Sequence, residues 1–153
     1  MSDTILICTD GSEPANHAAA EGLALLKPGQ DLVVLTVVDS VELSVGAPGS
    51  GFASPGLSPE EIDRTRAELL QDGQALVDQA VASLGVSGAR TMVLEGAPGQ
   101  AVCEAARELS AAAIVMGSRG RGGVKRALLG SVSDHVVRNA PCPVVISGAA
   151  SVD

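Results

Sequence analysis

The chain has no tryptophan and no tyrosine, and its one aromatic residue is Phe52, so any hydrophobic core must be built from Val, Leu, Ile and Ala. It also lacks a membrane-spanning stretch, since no apolar run approaches the ~20 residues that a helical span requires. The opening Met1-Ser2-Asp3-Thr4 has neither the basic region nor the apolar segment of a signal peptide, which points to a cytoplasmic location. Cations are scarce, ten Lys and Arg against eighteen Asp and Glu. A net charge of −8 lacks the cationic footprint that nucleic acids and anionic membranes demand, and excludes both as general partners. The three cysteines, Cys8, Cys103 and Cys142, form no CxxC or other metal-ligand spacing, and, with two of them in apolar contexts, read as reduced core thiols.

What the chain does have is aliphatic bulk. Hydrophobic residues make up 46% of 153 positions, enough for one core, so a single domain over residues 1–153 is expected. Thr4-Ile5-Leu6-Ile7-Cys8-Thr9 is a β-branched, apolar run that Asp10-Gly11-Ser12 ends abruptly, the mark of a first strand. A helix is predicted from near Pro14 to Leu26, capped by Ser12 and stopped by Lys27-Pro28-Gly29. Further strands are predicted over Asp31–Val38, Arg90–Glu95, Ala113–Met116 and Pro143–Ser147. Ser58-Pro59-Glu60-Glu61 opens a long helix to about Leu84, and two more helices span Gln100–Leu109 and Ser131–Asn139. A helix lies between each pair of successive strands. The sheet is therefore predicted to be five-stranded, parallel and doubly wound, a Rossmann-like α/β arrangement of order 3-2-1-4-5 with helices on both faces. Its topological switch, where such sheets bind ligands, falls between strands one and four. Residues 40–57, rich in Gly, Ser and Pro, read as a mobile loop, with a lid over the strand ends as the functional alternative.

Chemistry concentrates after the fourth strand. Arg119, Arg121, Lys125 and Arg126 are four of the ten cations, and no acid occurs between Leu109 and Asp134, so this stretch stands at +4 on an acidic chain. Glycines interleave with the cations in Gly117-Ser118-Arg119-Gly120-Arg121-Gly122-Gly123, and Gly130-Ser131 opens the last helix. Small residues let main-chain N–H groups approach an anion, and a helix N-terminus adds partial positive charge and unpaired donors. Ser131 and Ser133 bring hydroxyls to the same place. A polyphosphate would satisfy these groups together. The loop is not a Walker A motif, and strand one lacks the Gly-x-Gly-x-x-Gly fingerprint of dinucleotide enzymes.

The pattern Gly117-x2-Gly120-x9-Gly130-Ser131 resembles the ATP-binding signature of the universal stress protein family. Thr9-Asp10-Gly11-Ser12 is similar to that family's first-strand motif, Leu35-Thr36-Val37-Val38-Asp39 to its second-strand end, and Asn139-Ala140-Pro141-Cys142-Pro143-Val144-Val145 to its closing strand. The blocks cover essentially the whole chain in register, and Cys8 departs from the small residue or proline that some members carry there. The resemblance implies an adenine-nucleotide alpha-hydrolase-like fold and ATP as ligand. Asp10 would approach the ribose, and the main chain at Val37 would hold the adenine. Gly117, Gly120, Gly130 and Ser131 would line the phosphates, with Val132 and Ser133 adding donors from the helix start. Thr9, Met116 and Arg121 complete the implied set. Mg²⁺ or Mn²⁺ would be held by phosphates and water, without a protein ligand. A homodimer through strand five, at Val144, Val145 and Ile146, is also implied, together with a regulatory protein partner of unknown kind.

Three readings of function follow. The first is an ATP-binding stress-response regulator with little or slow hydrolysis, because the loop holds no obvious general base. The second is a phosphohydrolase or nucleotidyl transferase using Arg119, Arg121 or Lys125. The third is a dimeric interaction module that binds no nucleotide, or binds AMP or cyclic AMP instead. Asp10 can also be read as a turn acid that caps the first helix, and His17 and His135 as exposed or structural side chains.

Overall fold

Strand β1, Thr4–Cys8, is buried along its whole length, as expected of a β-branched run covered on both sides. The computed structural model describes residues 3–40, 56–118 and 129–148. The expected loop falls almost wholly in 41–55, and residues 119–128 contain Gly120, Arg121 and the other loop cations, so those expectations lie outside the described residues. After β1 come α1 (Glu13–Ala24), β2 (Asp31–Val38), α2 (Pro59–Leu84), β3 (Arg90–Glu95), α3 (Pro98–Glu108), β4 (Ala113–Gly117), α4 (Ser131–Asn139) and β5 (Val144–Ser147). The strands form one parallel sheet of order β3-β2-β1-β4-β5, as the helix-linked pattern predicts.

Alternation along each strand divides the core into two layers. Ile5, Ile7, Val34, Ala113 and Val115 face α1 and α2, where they meet Ala19, Val77 and Ala80. Leu6, Cys8, Leu35, Ile114 and Met116 face α3 and α4, where they meet Val102, Ala106 and Val136. Without large aromatic side chains to fill space, the helices come close to the sheet. A Cβ at Gly22 of α1 would lie 2.4 Å from Val115 Cγ1, and one at Gly73 of α2 would lie 2.6 Å from Val93 Cγ1.

Element ends differ from the sequence reading by one or two residues at several places, β5 for instance starting at Val144 and α3 ending at Glu108. Helix α1 ends at Ala24 because Leu25 and Leu26 donate to Gly22 and Leu23, three residues back, which tightens and closes the last turn. Helix α3 begins at Pro98 instead of Gln100, since proline suits the first helical position, where no N–H partner exists. Strand β4 continues through Gly117, paired with Ser147. Among the described residues, no helix is long and apolar enough to cross a membrane.

Candidate functional site

At the switch point the chain leaves β1 toward one face of the sheet and leaves β4 toward the other, the topology at which such sheets bind ligands. The β1 side is a compact hydrogen-bonded turn. Thr9 N–H donates to the Leu35 carbonyl at 3.0 Å, extending the ladder by one residue. Its buried hydroxyl donates to Asn16 Oδ1 at 2.8 Å and accepts from Gly11 N–H at 3.0 Å. Asp10 Oδ1 accepts from Ser12 N–H at 2.9 Å, and Ser12 Oγ caps α1 by accepting from Ala15 N–H at 3.2 Å. The turn role foreseen for Asp10 is therefore present. Gly11 has φ +79°, and any Cβ there would meet Leu76 Cγ at 2.6 Å, so this corner requires glycine twice over.

The β4 side is a neck joining Ser118 to Gly130. Gly130 N–H donates to the Ser118 carbonyl at 2.7 Å, and Ser118 N–H donates to the Ser147 carbonyl at 3.0 Å. Ser133 Oγ donates to the Ser118 carbonyl at 2.7 Å and to the Gly130 carbonyl at 3.0 Å. The Ser133 hydroxyl, read from sequence as a group for the ligand, is thus directed at the main chain. Gly130 is the N-cap of α4, extended at φ −71° and ψ 166°, with no side-chain cap, and Ser131 behind it is exposed. The first N–H groups of α4 have no acceptor within the helix. Asp134 is the one acid in that first turn, and Arg138 pairs with it at 3.1 Å.

Between these two sides the strand ends supply an apolar wall. Cys8, Val37 and Met116 share the α3/α4 face at or next to the ends of β1, β2 and β4, and Val132 packs against the same cluster. Burial pushes the Cys8 thiol from 9.0 up to about 12, with Cys103 and Cys142 adding to the shift, so it stays protonated at neutral pH. The structure thus brings Thr9, Asp10, Val37, Met116, Gly117, Gly130, Ser131, Val132 and Ser133 to one end of the sheet. Elsewhere, His17 lies 3.4 Å from Glu21 on exposed α1, and the His135 ring packs against Gly99 at the start of α3. An open groove of about 730 Å³ between α1 and α2, lined by Asn16, His17, Gln79 and Ser83, gathers none of the predicted site residues.

Sequence reasoning missed Asn16 and the carbonyls of Ser118 and Ser147. Asn16 holds the Thr9 hydroxyl from seven residues further along the chain, and the other two act through main-chain oxygen, which no residue type advertises.

Comparison with known proteins agrees with this fold. The family model described as the universal stress protein family matches residues 1–147. A universal stress protein of Thermus aquaticus is 36% identical over 149 residues, covering 95% of this chain and 98% of the relative. One from Methanocaldococcus jannaschii is 35% identical over 142 residues, covering 93% and 79%. Among solved structures, the hypothetical protein MJ0577 superposes with a TM-score of 0.71 at 24% identity, covering 95% and 94%. A universal stress protein in complex with cAMP gives 0.63 at 21%, covering 94% and 95%. A family protein of Arabidopsis thaliana with AMP bound gives 0.58 at 18%, covering 95% and 90%. Matched from its first strand to its last, and by relatives of nearly its own length, this chain belongs to the universal stress protein family.

Proposed function

We propose that the protein is a cytoplasmic stress-response regulator that binds ATP across the carboxyl ends of β1 and β4. The observation that carries this reading is the closed neck between Ser118 and Gly130, from which α4 starts without a side-chain cap. Main-chain donors left open at a helix start suit an anion, and each charge-assisted bond contributes roughly 1.5–3 kcal/mol. Adenine would lie against Val37 and Met116, the ribose near Asp10, and the phosphates along Gly117, Gly120, Gly130, Ser131 and the first N–H groups of α4, with Arg121 nearby. Mg²⁺ or Mn²⁺ would travel with the phosphates and water. Hydrolysis is slow in this reading. Asp10 is engaged by Ser12 N–H, and both histidines belong to other surroundings, which leaves no evident base for an attacking water among the described residues. AMP or cyclic AMP is the second reading, favoured by the two neighbours solved with those nucleotides.

A homodimer through β5 belongs to the same proposal. Pro143 and Ser147 carbonyls accept from β4, so by alternation Val145 also turns its main chain inward, while Val144 and Ile146 turn theirs to the open edge. Ile146→Pro therefore blocks edge pairing without removing a β4 bond, and should give a monomer in solution; an unchanged mass defeats the dimer.

Two measurements test the nucleotide. Mass spectrometry of the small molecules released on denaturation should find an adenine nucleotide, and calorimetric titration should rank ATP above AMP and cyclic AMP. Purified protein that releases none and takes up none of the three overturns the reading. Steady-state turnover of many ATP per second overturns the regulator in favour of an enzyme.

A further inference from the structure

We infer that Ser133 is a positioning residue: its hydroxyl holds together the two ends of the phosphate loop and makes no contact with the nucleotide. The inference rests on the nucleotide reading above and assigns a role within that site. Ser133 is 2% exposed, and its Oγ lies 2.7 Å from the Ser118 carbonyl oxygen and 3.0 Å from that of Gly130. Carbonyl oxygens only accept, so the single hydroxyl proton is shared between them. A phosphate also only accepts, and Ser133 Oγ has no second proton to offer it. The neighbouring Ser131 is exposed at the first helical position, and it is the hydroxyl left for a ligand.

The neck that results is closed by three groups. Gly130 N–H and Ser133 O–H both converge on the Ser118 carbonyl, and Ser118 is itself tied through its N–H to Ser147 of β5. Ser133 cannot readily turn away, because its neighbours Val132 and Val136 anchor that turn of α4 in the core beneath. The span from β4 to α4 is thus set before any ligand arrives, which spares the ordering of the loop ends on binding. The strand ends that would hold adenosine are fixed by other bonds, at Thr9 and along β2. Loss of the Ser133 hydroxyl should therefore weaken the phosphate end of the ligand and leave the nucleoside end alone.

Substitution to alanine leaves no orphaned group, since the Ser118 carbonyl keeps Gly130 N–H and the Gly130 carbonyl keeps Asp134 N–H at 2.9 Å. The full chain carrying Ser133→Ala should fold and bind ATP about tenfold more weakly than the parent, with adenosine affinity changed by less than about twofold. Ser133→Thr, which restores the hydroxyl, should recover most of the ATP affinity. Equal losses for ATP and adenosine mean a merely structural role, and an unchanged ATP affinity means no role; either overturns the inference. A threonine variant as stable as the parent but as weak as alanine overturns it too. Amide hydrogen exchange at Gly130, measured without nucleotide, supplies an independent readout. It should be faster in Ser133→Ala than in the parent, and an equal rate refutes the clasp. Should the parent bind no nucleotide, the functional reading falls, and the exchange result alone judges whether Ser133 closes the neck.

Discussion

The two faces of the sheet are built from the same aliphatic material but treat their helix starts in opposite ways. On one face both helices begin on serine caps: Ser12 accepts from Ala15 N–H, and Ser58 forms a full capping box with Glu61. On the other, α3 starts on Ala97 and α4 on Gly130, neither with a side-chain cap. Pro98 removes a donor from the start of α3, whereas α4 keeps Ser131 there. All three cysteines also pack on this second face. The first face is closed by its own side chains, and the second keeps main-chain donors in reserve. The difference separates helix starts that side chains close from helix starts that they do not.

Four substitutions or conditions would break or sharpen this contrast. The largest effect of a substitution is expected on the capped face, where helix and sheet touch most closely. Gly22→Leu forces bulk into a 2.4 Å approach at Val115, and should lower stability by about 3 kcal/mol in urea unfolding. A midpoint equal to the parent's would show that α1 can lift away at little cost.

The thiol face should reveal itself at alkaline pH. Folding holds Cys8 protonated up to about 12, whereas an unfolded thiol releases its proton near the ordinary 9.0. Its contribution is complete below pH 9 and lost as pH rises toward 12, by up to about 1.4 kcal/mol for each pH unit. Melting temperature should fall less steeply over that window in Cys8→Ala; parallel slopes would remove Cys8 from the account.

The bare helix start is tested by giving it a cap. Gly130 is extended at a negative φ, so Gly130→Asp fits the backbone, and it should leave stability unchanged or raised by about 0.3 kcal/mol. The same carboxylate would repel phosphate and should weaken ATP at least about tenfold by calorimetry. Affinity that survives the aspartate would mean that α4 does not face the ligand. The smallest effect belongs to the opposite case. Ser58→Ala should destabilise the protein by about 1 kcal/mol in denaturant melts while nucleotide affinity stays as it was, and a matched loss of affinity would blur the division between the faces.

Much of this could be read from the chain before folding, for a physical reason in each case. The strand cores of β1 and β2 and the caps Ser12 and Ser58 depend on neighbours within a few residues, so local pattern locates them. Parallel pairing followed because helices between strands favour parallel, right-handed connections. The start of α3 was read two residues late because Pro98-Gly99 resembles a turn in isolation and becomes helical with Gly99 packed under His135. Ser133 was legible as a residue at the start of the last helix, yet the direction of its hydroxyl was not. A serine offers the same atoms to a ligand and to a carbonyl, and the nearest carbonyl belongs to Ser118, fifteen residues away along the chain.

The sequence by itself determined the aliphatic core and the parallel pairing of the sheet, because periodicity and turn residues act over short distances. Only the tertiary structure decided which hydroxyls remain available, since that depends on groups brought together from β4, α4 and β5. Hydrogen-bond donors are few and each proton serves one neighbourhood, so packing determines which of them a ligand can reach.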